Sequence, residues 1–362
     1  MHMLISTIDR FEEMQARLQP RLDAFAAGDQ PYLVVQSVPL DVYTSCNTIE
    51  DIYTANVRFF ERQLSVKSDW LPYLEPWMGT GIFANAFGCE YLWRDGDAPA
   101  VHYRYHSLEE VADLTAPTPD DSEVMPRVLE AIALFRERTS DRVPIALTDT
   151  QSANDTATLV LDATELIAGC YSDPEVAHRL LGQVNDLIIE FSRRQIEAIG
   201  SAPVARPGHI MVSSPDWRGI SISDDNLAFM SVEIGREFCL RYDQQLADEF
   251  GGLAIHSCGR WQHLMPDVAA MRNIVQVDCA IHIDADPNPN DPEAVRDAFA
   301  GSGIAVKVRG PNDFEPWREI LPRLVKRGLR LIVQLDYVPD EAESARNYGE
   351  TCRILDGLYA TG

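Results

Sequence analysis

Short apolar runs rich in β-branched residues alternate with longer stretches of helical periodicity along the whole chain. This alternation narrows the fold more than any other feature. The candidate strands are Tyr32–Gln36, Val143–Thr148, His209–Ser213, Gly252–His256, Ile274–Asp278, Ile304–Val308 and Leu329–Gln334, with a weaker one at Trp70–Leu74. Helical patterns fill the gaps, notably 163–171, 174–199, 226–250, 291–300 and 315–327. A parallel neighbour needs a crossover, so strands alternating with helices imply βαβ units. Eight such strands in 362 residues fit a (β/α)8 TIM barrel better than an open doubly wound sheet. No G-x-G-x-x-G follows the first strand, so the dinucleotide-binding fold lacks its fingerprint. The expectation is one α/β barrel domain over residues 1–362 with an N-terminal helical extension, since no domain linker stands out.

Local signals agree with this plan. Thr48 with Asp51 three residues on reads as a helix start, and Ile49, Ile52, Tyr53, Val57, Phe60 and Leu64 then form one buried face. The segment Ala116–Asp121 reads as a surface loop. Cys352 falls with Ala345, Tyr348, Leu355 and Tyr359 on one face of a C-terminal helix, the pattern of a core residue.

The formal net charge is −25. A surface this acidic argues against general binding to nucleic acid or anionic membrane. No run of about 18 apolar residues suggests a membrane span, and the first residues show no signal peptide. Seven cysteines, an odd number, are scattered through a chain long enough to need no staples. The expected location is a reducing cytoplasm.

The sharpest chemical signal is His256-Ser257-Cys258-Gly259 at the end of an apolar run. Residues i and i+2 of a strand share a face, so imidazole and thiol converge as two zinc ligands would. At the C-terminal end of a barrel strand, that point lies where active sites are built.

The order of short motifs resembles the uroporphyrinogen decarboxylase and cobalamin-methyltransferase superfamily. The pieces are Phe87-Gly88-Cys89-Glu90, Ser107–Val111, Asp149-Thr150-Gln151-Ser152, Ser223-Asp224-Asp225-Asn226 and His256-Ser257-Cys258-Gly259. The resemblance implies the same barrel. True decarboxylases of this kind carry an arginine-rich segment after the first strand, where guanidinium forks grip substrate carboxylates. Here Gln36–Tyr43 holds no arginine, and Leu74-Glu75-Pro76-Trp77 stands where those enzymes place an aspartate. The methyltransferase branch therefore fits better. It implies zinc held by His256 and Cys258, a corrinoid (cobalamin) as co-substrate on a partner protein, and a homodimer. The branch's third ligand, a cysteine near the last strand, is missing. Asp336 and Cys279 are its two candidate replacements. The alternative is a metal-free lyase that decarboxylates a smaller acid.

Other residues at expected strand ends complete the candidate site. Glu75 and Asp149 are candidate acid–base groups, and Tyr337 offers a phenol. Gln36, Trp77, Gln151, His209 and Lys307 are candidate substrate contacts. Lys307 sits in an apolar strand and needs a charged partner or a substrate anion. Asp216-Trp217-Arg218 is expected near the mouth. Asp224 and Asp225 read as caps of the following helix. His282 and Asp284 read as a polar wall.

Overall fold

A computed structural model describes residues 3–38 and 46–361. Most of the arginine-free stretch after the first strand, residues 39–43, lies outside them.

The fold is mixed α/β and TIM-barrel-like. The first strand, β1 (Tyr32–Ser37), starts the sheet. A two-stranded antiparallel hairpin, β2 (Glu90–Leu92) and β3 (Ala100–His102), lies outside it. The remaining sheet strands are β4 (Ile220–Ser223), β5 (Leu253–His256), β6 (Ile274–Ala280), β7 (Ala305–Arg309) and β8 (Arg330–Asp336). They form one parallel sheet in the order β1-β8-β7-β6-β5-β4. Helices 265–270, 292–299 and 317–324 supply crossovers, as parallel pairing demands, and helix 341–361 follows the last strand.

The rest of the ring is irregular. Isolated parallel bridges join Leu74 to Ile145, Ile145 to Val204 and Gln151 to Ser223. The Asp69 N–H donates to the Val34 carbonyl, which ties β1 to the chain before Leu74. The expected runs at 70–74 and 143–148 are therefore present as wall segments with single bridges rather than as ladders. The expected strand at His209–Ser213 is not one. There the chain turns, and the strand comes later as β4. Gly208 at φ +106 and Ile210 at φ +49 break any extended run.

Helices follow their caps. The helix Ile49–Gln63 starts where Thr48 accepts the Asp51 N–H. The helix Pro174–Ile199 is capped by Asp173 and opens on proline. The expected long helix at 226–250 starts late, since a 3-10 turn at Asp225–Ala228 comes first, and then runs over 232–249 with a π turn at Gly235–Leu240. Gly235 lets this helix pack closely on the next loop, because a Cβ there would lie 2.7 Å from the Leu264 side chain. The helix Ile5–Ala27 precedes β1, with Phe11, Met14, Leu18, Leu22 and Phe25 on its buried face. Among the described residues no helix is long and apolar enough to cross a membrane.

Candidate active site

A cavity of about 600 Å³ opens at the C-terminal ends of the strands, lined by Gln36, Ser223, His256, Arg309 and Gln334 among others. Two polar centres face it.

The first is built by three adjacent strands. The register places His256 beside Asp278 and Asp278 beside Lys307. Asp278 is fully buried and every contact on it is a cation or an imidazole. Its Oδ1 meets His256 Nδ1 at 2.8 Å and Arg309 Nε at 2.9 Å, and its Oδ2 accepts from Lys307 Nζ at 2.9 Å. Burial alone would raise its pKa, but Lys307, Arg309 and His256 together hold it well below the usual carboxylate range. Burial lowers the Lys307 pKa, against the pull of Asp278.

With Nδ1 on Asp278, His256 turns Nε2 toward the cavity. That atom lies 3.3 Å from Cys258 Sγ and 3.7 Å from Asp225 Oδ1. Among the described residues, Asp225, His256 and Cys258 form the group of donors close enough to share one ion. Tetrahedral zinc with bonds of roughly 2.0–2.3 Å spaces its ligand atoms by about 3.3–3.8 Å. Both distances from His256 Nε2 fit that geometry. The Asp278–His256 contact supplies the carboxylate behind the imidazole that zinc sites use to fix the tautomer. Burial, and next the Asp225 carboxylate, push the Cys258 thiol up to about 12. A bare thiol there stays protonated at neutral pH, so a cation is what would ionise it.

Asp225 is held by its neighbours. Asp155 accepts the N–H groups of Asp225 and Asn226, and Asp225 Oδ1 accepts the Cys258 N–H at 2.6 Å. The capping expectation for Asp224 and Asp225 is thus corrected, since neither side chain caps the turn Asp225–Ala228. The two expected third ligands are not brought to the pair. Asp336 is exposed at the end of β8. Cys279 alternates with the inward Asp278 and so points to the outer face, where it is buried.

The second centre is Glu75, His209 and Asp149, all buried. His209 Nδ1 meets Glu75 Oε1 at 2.6 Å, and Nε2 lies 3.4 Å from Asp149 Oδ1. Trp77 Nε1 and Gln151 Nε2 donate to Asp149 at 3.1 and 3.0 Å. Burial alone would lower the His209 pKa, but Asp149 and Glu75 outweigh it and raise it to about 9. Burial raises Glu75, opposed by His209 and assisted by Asp149.

Gln36, Glu75, Asp149, Gln151, His209 and Lys307 all line the cavity. Gln36 is already engaged: its amide bonds to Lys67 O, Ser344 O and Ser344 Oγ. Trp77 acts from behind, through Asp149. Tyr337 lines a separate depression with Leu4, Arg10 and Glu341. Asp216, Trp217 and Arg218 line a pocket at the opposite end of the barrel, beside Ile274 and Arg330 at strand starts. The His282 ring sits 3.4 Å from Asp284, apart from the cavity lining. Arg309, Asp278 and the place of Asp225 beside the His–Cys pair are not marked as site residues by the sequence pattern. For Arg309, the i+2 relation to Lys307 is the strand signal that could have found it.

This is a TIM-barrel-like protein whose cavity sits at the catalytic pole of the barrel and holds a His–Cys–Asp cluster. Residues 80–205 match the model of the uroporphyrinogen decarboxylase (URO-D) family. A methyltransferase from Methanosarcina mazei shares the fold with TM-score 0.64 at 16% identity, over 94% of this chain and 99% of that one. The family match is consistent with the URO-D superfamily, and the structural likeness shows the shared fold. No curated protein matches the sequence. The family match holds Asp149 and Gln151 but ends before His256 and Cys258.

Proposed function

We propose that this chain is a zinc-dependent methyltransferase that moves a methyl group to or from a corrinoid carrier. The observation that carries the reading is the convergence of Asp225, His256 and Cys258 on the cavity. The methyltransferase fold neighbour and the URO-D match support it. Bound there, zinc would serve as a Lewis acid, polarising a substrate heteroatom in its open position. The chain's own work is to hold the ligands. Asp278 keeps His256 in the tautomer that offers Nε2, while Lys307 and Arg309 neutralise Asp278. The reading includes a single barrel domain over residues 1–362, a homodimer, a separate corrinoid protein as partner and a reducing cytoplasm. All seven cysteines are free, in keeping with the last of these.

The test is metal content. Purified protein is expected to carry about one zinc per chain, with metal lost in H256A, C258S and D225N. Methylcobalamin with a panel of small thiols then reads methyl transfer through the cobalt spectrum. Protein that stays metal-free after zinc is supplied removes the mechanism. The second reading, a metal-independent decarboxylase acting on a smaller acid, draws on the buried carboxyls Glu75 and Asp149 beside His209. Turnover unchanged in the E75Q/D149N double variant rules it out.

A further inference from the structure

Methylating a protic acceptor releases a proton, and the His256–Asp278 pair is already committed. Of the His256 nitrogens, Nδ1 is on Asp278 and Nε2 faces the metal position. Both Asp278 oxygens are taken, by His256 and Arg309 on one and Lys307 on the other. Lys307 is itself a buried cation on that carboxylate. Outside the donor group Asp225, His256 and Cys258, the carboxyl and imidazole groups among the described residues lining the cavity are Glu75, Asp149 and His209.

These three are placed with care. Gly208 at φ +106 makes the turn that aims His209 inward, and Ile210 next to it holds φ +49, a strained value for a β-branched residue. Tyr73 OH and Ser213 Oγ donate to the Gly208 carbonyl. The groups facing His209 are Glu75, Asp149 and, on β7, Lys307.

We propose that Glu75, His209 and Asp149 are the proton-transfer centre of the site, with Glu75 as the group that takes the acceptor's proton. The proposal rests on the methyl-transfer reading. For an acceptor R–XH and a methyl-Co(III) corrinoid, the X–C bond forms and the Co–C bond breaks. The electron pair stays on cobalt, reducing it to Co(I), and the X–H proton passes to the Glu75 carboxylate. His209 keeps its positive charge, balanced by Asp149, so Glu75 becomes neutral while the pair beside it stays paired. The proton then leaves to solvent with product release. In the reverse direction Glu75 returns a proton to the leaving heteroatom. Burial raises the Glu75 carboxyl above its ordinary value, which makes it a better proton acceptor than an exposed carboxylate.

Two measurements test this. The first uses wild-type protein, with and without zinc, and reads the His209 ring by 15N NMR. A doubly protonated ring up to about pH 8 supports the centre, and a neutral ring at pH 7 overturns it. The second compares zinc-loaded wild type, E75Q and H209Q in methyl transfer from methylcobalamin to 2-mercaptoethanol. Both variants are expected to keep their zinc and to lose about 100-fold or more in rate. An unchanged rate in E75Q with zinc retained overturns the proposal. A wild type that binds zinc but transfers no methyl group defeats the methyl-transfer reading instead, and the NMR result then decides the proton centre alone.

Discussion

Asp278 carries more of this site than either proposed metal ligand beside it. It is fully buried, it orients His256, and it is the shared counter-ion of Lys307 and Arg309. Removing one partner of a buried ion cluster strands the others without compensation. Asp278→Asn is therefore expected to destabilise the fold by about 3–5 kcal/mol, read as a lower urea midpoint. The double change Asp278→Asn with Lys307→Met should recover part of that loss, because it removes one stranded charge. If the single variant unfolds at the wild-type midpoint, the cluster is not the structural keystone described here. At this scale the sequence was informative about which residues matter and weaker about their partners. His256 and Cys258 were legible because i and i+2 share a strand face. Asp225 was not, because its position depends on Asp155 and on the Cys258 N–H, both distant in sequence.

Between elements, the decisive contact is at the base of β4 and β5. These strands deliver Ser223 and His256 to the same level of the cavity. Gly219, just before β4, has φ +93, and a Cβ there would sit 2.5 Å from the Gly252 backbone. Neither the conformation nor the space admits a side chain. Gly219→Ala is expected to cost more than 1 kcal/mol in stability and to weaken zinc retention, since the shift propagates along both strands. Equal stability and equal metal content would show that the strands tolerate the wedge. Helix signals served well where capping and periodicity agreed, as at Thr48 and Asp173. They misplaced the start at 226–250 and did not report the π turn at Gly235–Leu240 or the close approach of Gly235 to Leu264. A one-dimensional period does not report a contact with a later loop.

Across the whole molecule, a chain of net charge −25 lines its cavity with Glu75, His209, Asp149, Lys307 and Arg309, and Asp278 lies buried behind the last two. Stability should follow those pairings with a definite sign in pH. His209 is raised in the folded state from 6.5 to about 9. Its contribution is fully present below about pH 6.5 and is lost as pH rises through about 9. Asp278 is shifted the other way, so its contribution is present above about pH 4 and is lost only in stronger acid. The melting temperature is expected to fall between about pH 6.5 and 9, and H209Q should flatten that slope at constant ionic strength. Slopes that coincide would assign the decline to surface repulsion rather than to His209.

The sequence by itself determined the class of fold and one convergent His–Cys pair. Alternating strand and helix periods dictate parallel βαβ units, and a two-residue repeat puts His256 and Cys258 on one face. Strand alternation also placed Lys307 inside, in need of the partner it finds in Asp278. The tertiary structure alone decided the rest. It chose Asp225 over Asp336 and Cys279 beside the pair, since closeness of side chains on different strands depends on register and on the loops between them. It also brought Glu75, Asp149 and His209 together from three separate wall segments. No local pattern encodes such a meeting, because the hydrogen bonds that fix it span up to 134 residues of chain.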